Sequence, residues 1–209
     1  MIEIRNLKKN YGNHNVFNNL NLKIETNEML AIIGESGCGK STLLNIIGQI
    51  DNKYEGDIIF DETNMKKLSK KQKEKFIRYN INYLFQNFAL IESISVRENL
   101  LIGLEYVKIS KQEKIKKINE VLKKVNLNDY LNKKVYELSG GEQQRIALAR
   151  IMLKPGNIVL ADEPTGNLDK KNSKMVLELL KALQKDGKTI IIVTHNEEVA
   201  NKCDRIIKL

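Results

Sequence analysis

The stretch MLAIIGESGCGKSTLLNIIG, residues 29–48, constrains the fold more than any other part of the chain. Its apolar start, Met29 to Ile33, suits a strand buried on both faces. That strand runs directly into Gly34, Glu35, Ser36, Gly37, Cys38, Gly39, Lys40, Ser41 and Thr42, which fit G-x-x-x-x-G-K-[ST] and precede an apolar run of helical period. Glycines in such a loop let successive backbone N–H groups converge on phosphate oxygens without Cβ clashes. The helix that follows aims its positive end at the same place. The nine residues are therefore the candidate binding loop for a nucleoside triphosphate, with Lys40 on the β- and γ-phosphates and Ser41 on Mg²⁺.

The remaining pattern alternates between strand and helix. Ile2 and Ile4, then Leu20, Leu22 and Ile24, read as early antiparallel strands. GDIIF (56–60), NINYLFQ (80–86), NIVLAD (157–162) and KTIIIVTH (188–195) read as further strands, with a helix over 173–185 between the last two. From about Leu90 to Lys154 the pattern is helical. The expectation is an α/β fold with a mostly parallel sheet, an N-terminal antiparallel β part and an inserted α-helical part. One domain is expected over 1–209, with about 1–88 and 156–209 as the core and about 89–155 as the helical insertion.

Composition excludes some partners. The net charge is +9, and lysines are thickest in 65–78 and 107–124. The second stretch carries Ile109, Ile115, Ile118, Val121, Leu122 and Val125 at near-helical spacing, so its charge reads as the solvated face of an amphipathic helix. With no interleaving of aromatic and basic residues, nucleic acid is not expected as a partner. Cys38 and Cys203 are too few for a disulfide framework and lack metal-ligand spacing. Cys38 reads as a small filler in the loop. Met29 to Ile33, the longest apolar run, is far below the ~18 residues of a membrane span, and the N-terminus lacks the apolar core of a secretory signal. A cytosolic protein is expected.

Two further motifs carry chemistry. The strand ending in LADEP delivers Asp162 and Glu163 to the end where ligands of parallel sheets bind. Asp162 is placed on Mg²⁺ or its water shell, and Glu163 on an attacking water. In LSGGEQQR (138–145), Ser139 and Glu142 match the S-x-x-E capping box of a helix running to Lys154. Its start is a second anion site. A cap explains Ser139 and Glu142 but not why Gly140 and Gly141 are both glycine.

LSGGEQQR resembles the signature motif of ATP-binding cassette (ABC) ATPases. Other motifs of that family stand in the expected order: Tyr11, GESGCGKST, Gln86 in YLFQN, LADEP, GNLD ending at Asp169, and His195 in VTHN. The resemblance covers the whole chain and implies a phosphate-loop, RecA-like fold. It implies ATP and Mg²⁺ as cofactors, Tyr11 stacked on adenine, Gln86 on Mg²⁺ beside Ser41 and Asp162, and His195 on the γ-phosphate beside Lys40 and Glu163. It also implies a head-to-tail homodimer in which Ser139, Gly140, Gly141, Glu142 and Asp169 reach the nucleotide held by the other copy. Two departures stand out: Asn27-Glu28 replaces the usual Gly-Glu, where Asn tolerates the same turn conformation, and Val135-Tyr136 replaces a common proline.

ADEPTGNLD, FQNFAL and EQQRIALAR together are similar to the branch serving lipoprotein release, macrolide and peptide export, including bacteriocin export, and cell division. The implied role is the ATP-hydrolysing subunit of a transporter, on the cytoplasmic face of the membrane beside a separate permease. A non-transport ABC ATPase that acts mechanically on a membrane or cell-wall partner would carry the same motifs, and the sequence does not separate the two.

Overall fold

In the computed structural model, which describes residues 1–166 and 168–209, the chain begins with strands β1 (Ile2–Tyr11), β2 (His14–Ile24) and β3 (Met29–Ile33). Helix α1 (Lys40–Ile47), strands β4 (Glu55–Phe60) and β5 (Thr63–Asn64), helix α2 (Lys70–Asn80) and strand β6 (Ile81–Leu84) follow. Three helices come next: α3 (Val96–Gly103), α4 (Lys111–Lys124) and α5 (Gly140–Leu153). The chain closes with β7 (Ile158–Asp162), α6 (Lys170–Lys185), β8 (Thr189–Val193), α7 (Glu197–Ala200) and β9 (Arg205–Lys208).

The five strands β6-β7-β8-β3-β9, in that order, form one parallel sheet. Its inner strands β3, β7 and β8 are almost continuously apolar because both faces are covered, while the edge strand β9 stays largely exposed. In β8, Ile190 and Ile192 join one apolar cluster while Ile191 and Val193 join the other. The first cluster continues through Leu100 of α3, Leu122 of α4, Ile146 and Leu148 of α5 and Leu180 of α6. The second holds α1 and a four-stranded antiparallel sheet, β2-β1-β4-β5. Each fully buried Leu, Ile or Val side chain is worth about 1.5–3 kcal/mol of transfer energy. The helical stretch after Leu90 is thus fixed by sharing the sheet's own core.

Four helices begin with the same reciprocal cap, in which a Ser side chain meets the N3 backbone and the N3 side chain meets the cap backbone. The pairs are Ser69–Gln72, Ser95–Glu98, Ser110–Glu113 and Ser139–Glu142. Helix α2 is absent from the periodicity reading because none of its residues is fully buried and only Phe76 and Ile77 pack half-buried on the core. Its only sequence mark is the S-x-x-Q of the cap. Asn27 adopts a φ of 61°, the left-handed turn expected where a glycine is usual.

Strands end earlier than their apolar runs predict. β6 stops at Leu84, short of Gln86, because Phe85 folds back to stack on Tyr83 with ring centroids 4.1 Å apart. The chain then turns through Phe88 and Ala89 at positive φ, where the Arg150 guanidinium donates to both carbonyls at 3.0 and 2.7 Å. β8 ends at Val193, leaving Thr194 and His195 in the following loop.

Because α2 meets the core only through half-buried Phe76 and Ile77, its helicity leans on its cap. Ser69→Ala should cost about 1 kcal/mol locally. Hydrogen exchange should show faster exchange over 70–80 with little change in the global melting temperature.

Candidate nucleotide site

The loop between β3 and α1 wraps the helix start. Gly39 stands at φ 101°, which a side chain rarely adopts, and a Cβ there would lie 2.5 Å from Val16 and 2.9 Å from Phe17. The β1–β2 hairpin therefore presses directly on the loop. Lys40 is buried, and its ammonium donates to the carbonyls of Gly34 at 2.8 Å and Glu35 at 2.7 Å, bending the loop around it. Cys38 Sγ fills the space over Gly34, where a Cβ would come within 2.7 Å of it, as the filler reading expects.

Acidic groups arrive from the neighbouring strand. Ser41 Oγ donates to Asp162 Oδ1 at 3.0 Å. Burial pushes the Asp162 carboxyl above its ordinary range, the Ser41 hydrogen bond opposes this, the Glu163 charge adds to it, and Lys40 offsets part. Glu163 follows with φ 44°, a left-handed conformation that a glutamate rarely adopts. Its carboxylate is gripped from β8's end: Thr194 Oγ1 donates to Oε2 at 3.0 Å, and the His195 N–H donates to Oε1 at 3.0 Å. His195 Nδ1 lies 2.8 Å from the same Oε1, while the ring itself is exposed. Ser36, Gly37, Gly39, Lys40, Ser41, Thr42, Glu163 and Val193 line one cleft of about 260 Å³.

Not all the predicted residues meet there. Gln86 is exposed in the turn after β6, and Tyr11 lies at the exposed end of β1. Ser139, Gly140, Gly141, Glu142 and Asp169 do not line the cleft. They form a second group at the starts of α5 and α6. Tyr130 Oη donates to Glu142 Oε1 at 2.6 Å, and Ser139 N–H and Oγ both donate to Oε2 at 2.8 Å. The hydrogen bond from Tyr130 leads the causes that hold the Glu142 carboxyl below its ordinary value. Asp169 caps α6 by accepting the Asn172 N–H at 2.8 Å, and Asn172 Oδ1 accepts from Arg145 of α5 at 2.7 Å. Asn167 of the GNLD motif lies outside the described residues.

The two glycines differ. A Cβ on Gly141 would strike the Asn172 side chain at 2.6 Å, so packing inside the chain accounts for this glycine. A Cβ on Gly140 would meet nothing closer than Phe88 at 4.0 Å, so Gly140 is the one whose bareness faces outward. Thr194, Tyr130 and Asn172 carry roles that the sequence reading missed. Thr194 stood inside the quoted VTHN, but Asn172 has no signal of its own.

A family profile described as ABC transporter matches residues 17–166. The chain belongs to the ABC transporter family. It is 40% identical over 209 residues to the macrolide export ATP-binding/permease protein MacB of Campylobacter jejuni, an alignment that takes in 100% of this chain and 33% of MacB. The chain thus spans about a third of the length of that relative. Among solved structures, this ABC family chain superposes with a TM-score of 0.91 on the dimeric cassette MJ0796, at 39% identity and covering 100% of this chain and 94% of that one. A second structure of MJ0796, a dimeric post-hydrolysis state bound to ADP and Pi, gives a TM-score of 0.90 at 38% identity, covering 100% and 94%.

Two outcomes follow from this geometry. Gly141→Ala should destabilise the fold by about 1–3 kcal/mol through overpacking against Asn172, whereas Gly140→Ala should stay within about 1 kcal/mol of the parent in urea unfolding. Asp162→Asn removes a carboxylate whose folded pKa is raised, so it contributes a cost that grows as pH rises through that pKa. The variant should melt higher than the parent near neutral pH, and the difference should shrink in acid.

Proposed function

We propose that this chain binds and hydrolyses ATP as the energy-coupling subunit of an exporter. The observation that carries the reading is the cleft that joins the phosphate loop to Glu163 and the end of β8. Lys40 and the loop N–H groups bind the β- and γ-phosphates. Glu163, fixed by Thr194 and His195, orients the attacking water and accepts its proton, and His195 contacts the γ-phosphate. The energetic demand falls on positioning and charge stabilisation, since phosphoryl transfer requires little covalent chemistry from the protein. Tyr11 stacks on the adenine.

Magnesium fits this donor set. Ser41 Oγ and Asp162 Oδ1 are hard oxygen donors 3.0 Å apart that would hold the ion, and Gln86, in the turn after β6, would supply a third donor. Among the described residues no cluster of three or more His, Cys, Asp or Glu could hold a metal alone, which suits an ion that shares ligands with phosphate and water. When bound, Mg²⁺ neutralises charge on the phosphate oxygens.

The second group, at the starts of α5 and α6, acts on the nucleotide of another copy. Support comes from the fact that none of its residues lines the cleft, from the outward-facing Gly140, and from the dimeric cassettes that superpose on this chain. Each copy is then incomplete alone, and ATP holds two together until hydrolysis lets them part. A membrane permease is the partner, as the MacB relative's own name joins ATP-binding and permease parts. Beside the Gln86 turn the chain offers a cleft of about 270 Å³ lined by Phe85, Ile102, Tyr106 and Arg78, with Ile102 and Tyr106 exposed. No helix of the described residues is long and apolar enough to cross a membrane, which suits a subunit held at the cytoplasmic face by that partner. The cargo is a peptide, lipoprotein or drug-like molecule.

Glu163→Gln should bind ATP normally, lose at least about 100-fold in turnover, and accumulate as an ATP-bound dimer in light scattering. Rapid hydrolysis by that variant would remove Glu163 from its role.

A further inference from the structure

Strand β1 buries Ile2, Ile4 and Leu7, and then it buries Lys9, at 3% exposure. An ammonium withdrawn from water is costly unless its hydrogens are taken up by charged or polar partners. Lys9 has three. Its Nζ lies 2.7 Å from Asp51 Oδ2, donates to the Lys53 carbonyl at 2.7 Å, and sits 4.4 Å from the centroid of the Tyr11 ring. Tyr11 Oη donates to the same Asp51 Oδ2 at 2.9 Å. The phenol is therefore fixed at two points, one face by a cation and the hydroxyl by a carboxylate. Yet Tyr11 remains 53% exposed.

We propose that Lys9 and Asp51 are positioning residues that hold Tyr11 as a preset platform for the adenine base. The inference rests on the reading of Tyr11 as the adenine-stacking residue and adds what fixes it. An aromatic side chain at the tip of a hairpin has free rotamers, and stacking on a base would have to freeze them at the moment of binding. The ion pair freezes them beforehand. The platform is also tied to the phosphate loop from both sides. Asp51 N–H donates to Asn45 O of α1, the helix that starts at Lys40, and Val16 and Phe17 of the same hairpin press on Gly39. Base and triphosphate are thus presented with one rigid surface.

The test separates the base from the phosphates. Dissociation constants for ATP and for inorganic tripolyphosphate, both with magnesium, are measured by calorimetry on the full chain. Tyr11→Ala should weaken ATP about tenfold and leave tripolyphosphate within about twofold. Lys9→Met, Asp51→Asn and Tyr11→Phe should each weaken ATP about three- to fivefold with the same sparing, and Lys9→Arg should recover most of the loss. If Tyr11→Ala weakens ATP while Lys9→Met, Asp51→Asn and Tyr11→Phe do not, the positioning role is wrong and the platform stands. If Tyr11→Ala changes neither ligand, the platform reading itself fails. Equal losses for ATP and tripolyphosphate in the Lys9 and Asp51 variants would make the pair merely structural. Should Lys9→Met not fold, Asp51→Asn and Tyr11→Phe carry the same decision.

Discussion

Val193 is paired with Asp162 on one side and with Ile32 on the other, at the C-terminal ends of three parallel strands. This register sets everything else in the site. It puts the loop after β3, the acidic pair at the end of β7 and the Thr194–His195 turn after β8 within hydrogen-bonding reach. A two-residue slip would carry Glu163 away from Thr194, and a one-residue slip would turn Asp162 to the opposite face of the sheet. The apolar clusters on both faces hold that register, because the buried apolar side chains of the inner strands divide between them, as Ile190 and Ile192 do on one face and Ile191 and Val193 on the other.

The site is assembled against local preference. Glu163 occupies a left-handed backbone conformation, Asp162 is a carboxyl that burial would rather keep protonated, and Lys40 is a buried cation satisfied by loop carbonyls. Such strain survives only where the surroundings over-determine it. Here the surroundings are the parallel ladder, the N–H of Glu163 donating to the Val193 carbonyl at 2.9 Å, and the hairpin packed on Gly39.

A second rigid unit lies at the starts of α5 and α6. Arg145, Asn172 and Asp169 form a hydrogen-bonded line between the two helices, and Gly141 is bare because Asn172 lies against it. The outward Gly140 therefore sits on a helix tip whose position is locked to Asp169. The two glycines at the head of α5 thus have separate grounds: packing against Asn172 accounts for Gly141, and under the proposed function the bare, outward Gly140 lets a second copy's phosphate approach a helix tip already held rigid.

The strand–loop–helix at 29–48, the acidic strand end at Asp162 and the capped start at Ser139 were all legible from local chemistry, since each depends on residues adjacent in the chain. The parallel sheet followed from apolar runs buried on both faces. Helix α2 gives little period in the sequence because its few apolar contacts, Phe76 and Ile77, are only half-buried among charged neighbours, and Gln86 reads as part of a strand because its neighbours are apolar. What only the tertiary structure decided are contacts between residues far apart in sequence: Thr194 on Glu163, Asn172 against Gly141, and Lys9 with Asp51 beneath Tyr11. A buried lysine and an exposed one read alike in a lysine-rich chain. The difference between them is desolvation, which is set by packing rather than by neighbours along the backbone.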